Sequence, residues 1–239
     1  PESVINPEIR KEMNRFVADD IVDKVLLRDI PSLYGIQDSQ ELKRFFTVIA
    51  YNTGMEVSFE GLSKSSGIAK NTIRKYLDYL EAAFLIHRVY RVDQNARRFK
   101  RVTHFKVYLS NPCIRSALFG PVTEDSEAMG SLAETALLCQ YGPTIAASMI
   151  HYARWSSGEV DMIHLLPQSL EIQTVEEVKW SDHCVKNTKE DLKSLIKFCE
   201  INKISKACVL TKTAYTDKNV NGLKIHFAPT SLRCWMVAG

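Results

Sequence analysis

Between residues 148 and 180 the chain carries three short runs of alternating or continuous apolar side chains, separated by connections too short for a crossover. They are Ser148–Trp155, Glu159–Leu166 and Leu170–Trp180, with Ser156-Ser157-Gly158 and Pro167-Gln168-Ser169 between them. Period-two runs bounded by breakers predict strands. Connections of three residues join antiparallel neighbours only, so the three strands form a meander. Leu132, Ala136, Leu137 and Gln140 predict a helix over 129–141 ahead of it. Leu192, Leu195, Ile196 and Cys199 predict another over 187–200, before a short buried strand at Lys206–Thr211 and a further candidate at Leu223–Phe227. Helix, meander, helix, strand is an α/β (α+β) core with a mixed sheet.

That order confines where chemistry can gather. Asp161 falls on the second strand and Glu177-Val178-Lys179 on the third. Alternation puts Glu177 and Lys179 on one face, so two acids and a lysine converge at one strand end. Two carboxylates suit a hard divalent ion such as Mg²⁺, with the Val178 carbonyl as a further oxygen. Such an ion polarises a phosphodiester and acidifies a bound water, and Lys179 would orient that water or offset charge on phosphorus. Glu134, on the preceding helix, is the candidate for an additional ligand. Solvated strands also alternate acids with lysines, so the same residues describe an ion-paired surface equally well.

The first half has a different period. Ile9, Met13, Phe16, Val17, Ile21, Val25 and Leu26 recur at helical spacing until Pro31. Asp38 followed by Glu41 has the form of a capping box, opening a helix that stops near Gly54. Residues 57–80 then read as a short helix, a turn at Gly67 and a second helix that buries Ile73, Tyr76 or Leu77, Leu80 and Phe84. Lys70, Asn71, Arg74 and Lys75 stay on its outer side near the N-terminal end, where a recognition helix meets base edges. Strands at Leu85–Val92 and Phe105–Leu109 flank a loop holding Arg97, Arg98, Lys100 and Arg101. A helix-turn-helix followed by a basic hairpin predicts a winged helix.

Charge supports a nucleic-acid role for this half. Residues 1–60 carry net −4, residues 61–120 net +9 and residues 121–239 net −2, and 11 of the 13 arginines precede residue 121. Guanidinium forks match phosphate and base edges. The breakers and charge shift at Phe119–Ser126 place a boundary there, giving a helical linker and winged helix over 1–120 and a nuclease-like domain over 121–239. Gly61 to Lys70 does not fit a phosphate loop, because five residues separate Gly61 from Gly67 and Ile68 follows. Six cysteines without a C-x-x-C pair and six histidines with no zinc-ligand spacing argue against structural zinc. Without a signal peptide or a run of about 20 apolar residues, a cytoplasmic protein with no membrane segment is expected.

Several stretches together resemble the C-terminal region of the DUF4143 family of predicted prokaryotic AAA+ ATPases. They are Leu27–Tyr34, Ile49–Gly54, Asn71–Leu80, Gly130–Glu134, Gly158–Asp161 and Glu177–Lys179. The resemblance implies a winged helix joined to a restriction-endonuclease-like PD-(D/E)XK domain. In it Asp161, Glu177 and Lys179 would form the nuclease core and Glu134 the helix-borne acid. It also implies an N-terminal ATPase domain outside this sequence, which alone would bind ATP, and a chain opening on Pro1 is expected to be a fragment. Two functions follow as expectations: a Mg²⁺-dependent nuclease domain attached to a DNA-binding winged helix, or a non-catalytic DNA- or protein-binding module regulating that ATPase.

Overall fold

A computed structural model of the chain describes residues 6–97, 103–141, 149–167, 169 and 171–238. The protein is mixed α/β with a large mixed sheet. It divides into two compact units, Pro1–Arg88 with Lys106–Thr135, and Val89–Phe105 with Ala136–Gly239.

The first unit opens on α1 (Pro7–Arg15), capped by the Asn6 side chain accepting from the Glu8 N–H at 2.9 Å. The helical path continues through π-helical stretches at Phe16–Asp23 and Val25–Asp29 into α2 (Ile30–Tyr34), and ends at Gly35 with φ 67°. Pro31 therefore does not stop it, contrary to the sequence expectation. Pro31 lies in the first turn of α2, where a missing N–H and a fixed φ are tolerated.

Asp38 caps α3 (Ser39–Tyr51) as expected, its Oδ1 accepting the Glu41 N–H at 2.8 Å. After β1 (Glu56–Ser58), Ser58 Oγ accepts from Gly61 N–H at 3.0 Å to open α4 (Phe59–Ser66). Gly67 turns the chain at φ 76°, a left-handed conformation costly for a residue with a Cβ, and α5 (Lys70–Ala82) follows. Ile73, Tyr76, Leu77 and Leu80 are all buried, but Phe84 is 62% exposed. The helix ends at Ala82 and Phe84 takes φ 55°, so helical spacing no longer governs where that ring points.

The chain then forms β2 (Ile86–Val92) and β3 (His104–Leu109), whose residues divide between the two units. Asn111 caps α6 (Pro112–Phe119), an element the sequence reading did not anticipate, and α7 (Ala128–Gln140) begins in this unit.

In the second unit the strand order is β2-β4-β5-β6-β7-β9-β8. Strands β4 (Ile150–Trp155), β5 (Gly158–Leu165) and β6 (Ile172–Val178) form the expected antiparallel meander. Two short turns, α8 (His183–Lys186) and α9 (Thr188–Asp191), lead into α10 (Lys193–Ile201). β7 (Lys206–Thr211) then returns parallel to β6. β8 (Thr216–Val220), β9 (Leu223–Pro229) and α11 (Thr230–Ala238) complete the chain, β9 running parallel to β7. β8 and α11 had no counterpart in the sequence reading, since β8 is short and mostly polar.

Leu195, Phe198 and Cys199 of α10 are 0% exposed and pack on Ile163, Val175, Val209, Ile225 and Phe227 of the sheet. Burying each large apolar side chain contributes about 1.5–3 kcal/mol. No helix among the described residues is long and apolar enough to cross a membrane.

Replacing Asp38 by Ala leaves an α3 N–H without its acceptor, which costs about 1 kcal/mol. For a chain of this size the melting temperature should fall by roughly 2–4 °C, measurable by calorimetry.

Candidate functional site

The pairing of Met162 with Glu176 and of Ile163 with Val175 brings Asp161 opposite Glu177 at the next position of β5 and β6. There the side chains take over from the backbone ladder. Asp161 Oδ2 accepts the Val178 N–H at 2.9 Å, and Glu177 Oε2 accepts the Asp161 N–H at 3.3 Å. Lys179 Nζ lies 2.7 Å from Glu177 Oε1, while the Lys179 N–H donates to the Leu210 carbonyl of β7 at 2.7 Å. The structure thus brings Asp161, Glu177 and Lys179 together. The acids are buried, and the lysine remains 36% exposed at its side chain.

Burial is the largest influence on Glu177, and the neighbouring Asp161 charge adds to it. Lys179 offsets only part, so the carboxyl is pushed up to about 8 from an ordinary 4.5. Two carboxylates beside one ammonium leave an excess of negative charge when both ionise. Their hard oxygens suit Mg²⁺ or Mn²⁺ rather than a soft metal. Among the described residues no three His, Cys, Asp or Glu side chains gather at one point. An ion held by Asp161 and Glu177 would keep most of its shell as water, which is the habit of Mg²⁺.

Glu134, on α7, has partners in the first unit. Its Oε2 accepts from the Tyr108 hydroxyl at 2.7 Å and lies 3.3 Å from the buried Lys106 ammonium. Arg154 pairs with Glu159 at 3.3 Å, and its carbonyl accepts from Arg91, while Trp155 stacks on Phe198.

The sequence reading missed what stands behind the site. Glu176 points to the opposite face of β6 and is 0% exposed. It accepts from Arg233 Nε of α11 at 2.8 Å and from the Tyr141 hydroxyl at 2.9 Å, and His164 Nε2 lies 3.1 Å away. Burial alone would raise this carboxyl, but the hydrogen bond and charge of His164, with Arg233 and Tyr141, hold it below its ordinary value. The one available signal was the doublet Glu176-Glu177, because consecutive residues of a buried strand face opposite sides.

Lys70, Asn71, Arg74 and Lys75 are all exposed on α5. Lys70 pairs with Glu60, and the Arg74 guanidinium lies 4.8 Å from the centre of the Phe59 ring. Arg97 is exposed just after a turn in which its N–H donates to Asp93 at 2.8 Å. Arg98, Lys100 and Arg101 lie outside the described residues.

Because folded Glu177 keeps a proton that the unfolded chain has released, stability due to this group falls as pH rises from about 4.5 to about 8. Glu177→Gln should remove that part of the decline. Urea midpoints across this window, in a chelator, make the comparison. Equal slopes in the two proteins would show that Glu177 is ionised throughout.

Such strands and carboxylates define a class of site, and sequence comparison gives the chain its family. Residues 1–125 match a family described as "Domain of unknown function (DUF8612)", and the chain belongs to it. This overturns the resemblance to the DUF4143 family, and with it the AAA+ ATPase affiliation. An uncharacterized protein of Haemophilus influenzae is 28% identical over 125 residues, which is 50% of this chain and 30% of that protein. The chain thus matches less than a third of that relative's length. No solved structure matches.

Proposed function

We propose that the second unit is a divalent-metal-dependent phosphodiesterase centre of the restriction-endonuclease-like kind, and that the helix-turn-helix of the first unit binds DNA as a winged helix. The observation that carries the first part is the meeting of Asp161, Glu177 and Lys179 across β5 and β6, with Lys179 Nζ 2.7 Å from Glu177. The succession of α7, the β4–β6 meander, α10 and parallel β7 supports it, since that is the framework such a site needs.

A bound divalent ion would polarise the scissile phosphate and lower the pKa of a coordinated water. Asp161 and Glu177 supply the oxygens that hold the cation. Lys179 carries the only exposed part of the trio, so it meets the phosphate, orients the attacking water and offsets charge on the pentacoordinate phosphorus. The exposed Lys70, Asn71, Arg74 and Lys75 on α5 supply the positive surface for a DNA backbone.

Added Mn²⁺ or Mg²⁺ at 100 times its dissociation constant should contribute about 2.7 kcal/mol. That raises the melting temperature by roughly 5–11 °C. Asp161→Asn should abolish both this shift and metal-dependent cleavage of DNA, whereas Lys179→Ala should keep the shift and lose cleavage by about 100-fold or more. A second reading is favoured by the backbone N–H groups that both carboxylates accept. In it the trio only stitches β5 to β6, and the protein is a non-catalytic DNA- or partner-binding module. Absence of any metal shift, with Asp161→Asn destabilising the fold, would establish that reading instead.

DNA binding is measured separately. Lys75→Ala should weaken binding to all duplexes and reduce the log–log salt slope by about 0.9, as one phosphate contact is lost. An unchanged slope places α5 outside the interface.

A further inference from the structure

Within the first unit a cavity of about 240 Å³ lies between α3 and α4. Glu41, Arg44, Phe45 and Val48 stand at i, i+3, i+4 and i+7, so they line it from one face of α3. Leu62, Ser65 and Ser66 line it from α4, and Ile68 closes it after the Gly67 turn. Phe45, Leu62 and Ile68 are buried and form an apolar floor, while Val48 is 50% exposed. The space stays open because small serines stand at 65 and 66, where larger apolar side chains would fill the gap between the helices.

Two charged side chains border that floor, and each keeps capacity for a further bond. Tyr76 of α5 donates its hydroxyl to Glu41 Oε1 at 2.7 Å. This holds the carboxylate in place, and among the described residues nothing donates to Oε2. Arg44 pairs with Asp38 at 3.8 Å, too long for a hydrogen bond, and no other described anion meets it. The Ser65 and Ser66 hydroxyls both donate to the Leu62 carbonyl, at 3.2 and 2.7 Å, so the α4 wall offers no free hydroxyl donor. Size and charge then define the occupant. An apolar cavity of roughly 150 Å³ holds benzene, so this one takes a ring or a branched chain with a short polar end. A ligand carrying only an anion would be drawn to Arg44 but repelled by Glu41, and one carrying only a cation would meet the reverse. A zwitterion with an apolar tail satisfies both charges and the floor together.

We propose that this cavity binds an apolar α-amino acid, with its side chain on Phe45, Leu62 and Ile68, its ammonium on Glu41 and its carboxylate on Arg44. The site belongs to the first unit alone, and it stands or falls independently of the phosphodiesterase and DNA-binding readings.

The test uses the full chain in a chelator, so that no metal carries an amino acid to the carboxylates of the second unit. L-phenylalanine, glycine, hydrocinnamate and phenethylamine are titrated while the melting temperature and calorimetric heats are followed. L-phenylalanine at 100 times its dissociation constant should raise the melting temperature by roughly 5–11 °C. Glycine, which has no tail for the floor, should give almost no shift. Hydrocinnamate lacks the ammonium and phenethylamine lacks the carboxylate, and each should bind at least 10-fold more weakly than L-phenylalanine. Arg44→Met keeps the apolar stem and should weaken L-phenylalanine by 10-fold or more without weakening phenethylamine. Glu41→Gln keeps an acceptor for the Tyr76 hydroxyl and should weaken L-phenylalanine by 10-fold or more without weakening hydrocinnamate. Val48→Trp fills the cavity from a half-exposed position that the fold tolerates, and it should abolish binding of every ligand.

Absence of a shift with L-phenylalanine, or a shift that persists in Val48→Trp, overturns the site. Hydrocinnamate or phenethylamine binding as tightly as L-phenylalanine, or unchanged L-phenylalanine affinity in either Arg44→Met or Glu41→Gln, overturns its assignment to an amino acid.

Discussion

Two carboxylates stand next to each other on a buried strand, and the second unit is arranged around that constraint. Glu176 is 0% exposed and Glu177 5% exposed, and the pleat sends them to opposite faces of β6. Each face must provide its own compensation, because a buried carboxylate without partners is too costly to keep charged. Behind the strand this comes from Arg233, Tyr141 and His164, which together hold Glu176 ionised. In front, Lys179 is the compensating cation but Asp161 adds a second negative charge, and Glu177 is left strongly displaced from its ordinary behaviour. One face is neutralised and the other is left in deficit. The proposal of a cation site at the front of β6 rests on that deficit, whereas the carboxylate at the back has its compensation within the unit.

The same contrast separates the buried cations of the first unit. Lys106 has Glu134, while Arg115 has rings. Where a protein buries a charge and completes its pairing, removing one partner is destabilising and the pair serves the fold.

Much of the local framework was legible. Apolar spacing around Gly67 predicted the helix-turn-helix, and Asp38 with Glu41 predicted where α3 begins. Short turns between alternating runs predicted the β4–β6 meander and so the convergence of Asp161, Glu177 and Lys179. Family membership was misread from these same features. A turn glycine between amphipathic helices, or an acid and lysine two apart on a strand, arises wherever the local physics requires it. Such segments recur in unrelated chains, and the match over residues 1–125 is to DUF8612.

By itself the sequence determined the elements whose causes are local: caps, breakers, apolar period and the face on which each strand residue points. Compensation between charges was decided only in three dimensions. Arg233 reaches Glu176 across 57 residues, from a helix that apolar periodicity did not announce. Glu134 has partners that its own helix does not announce, accepting from Tyr108 and pairing with Lys106. Arg115 looks in sequence like any other arginine of a basic segment, and only packing reveals that its guanidinium lies over the rings of Tyr51 and Phe119. The reason is range. Hydrogen bonding and side-chain direction along one element depend on neighbours a few residues away, whereas the energy of a buried charge depends on whichever groups the fold brings within a few ångströms.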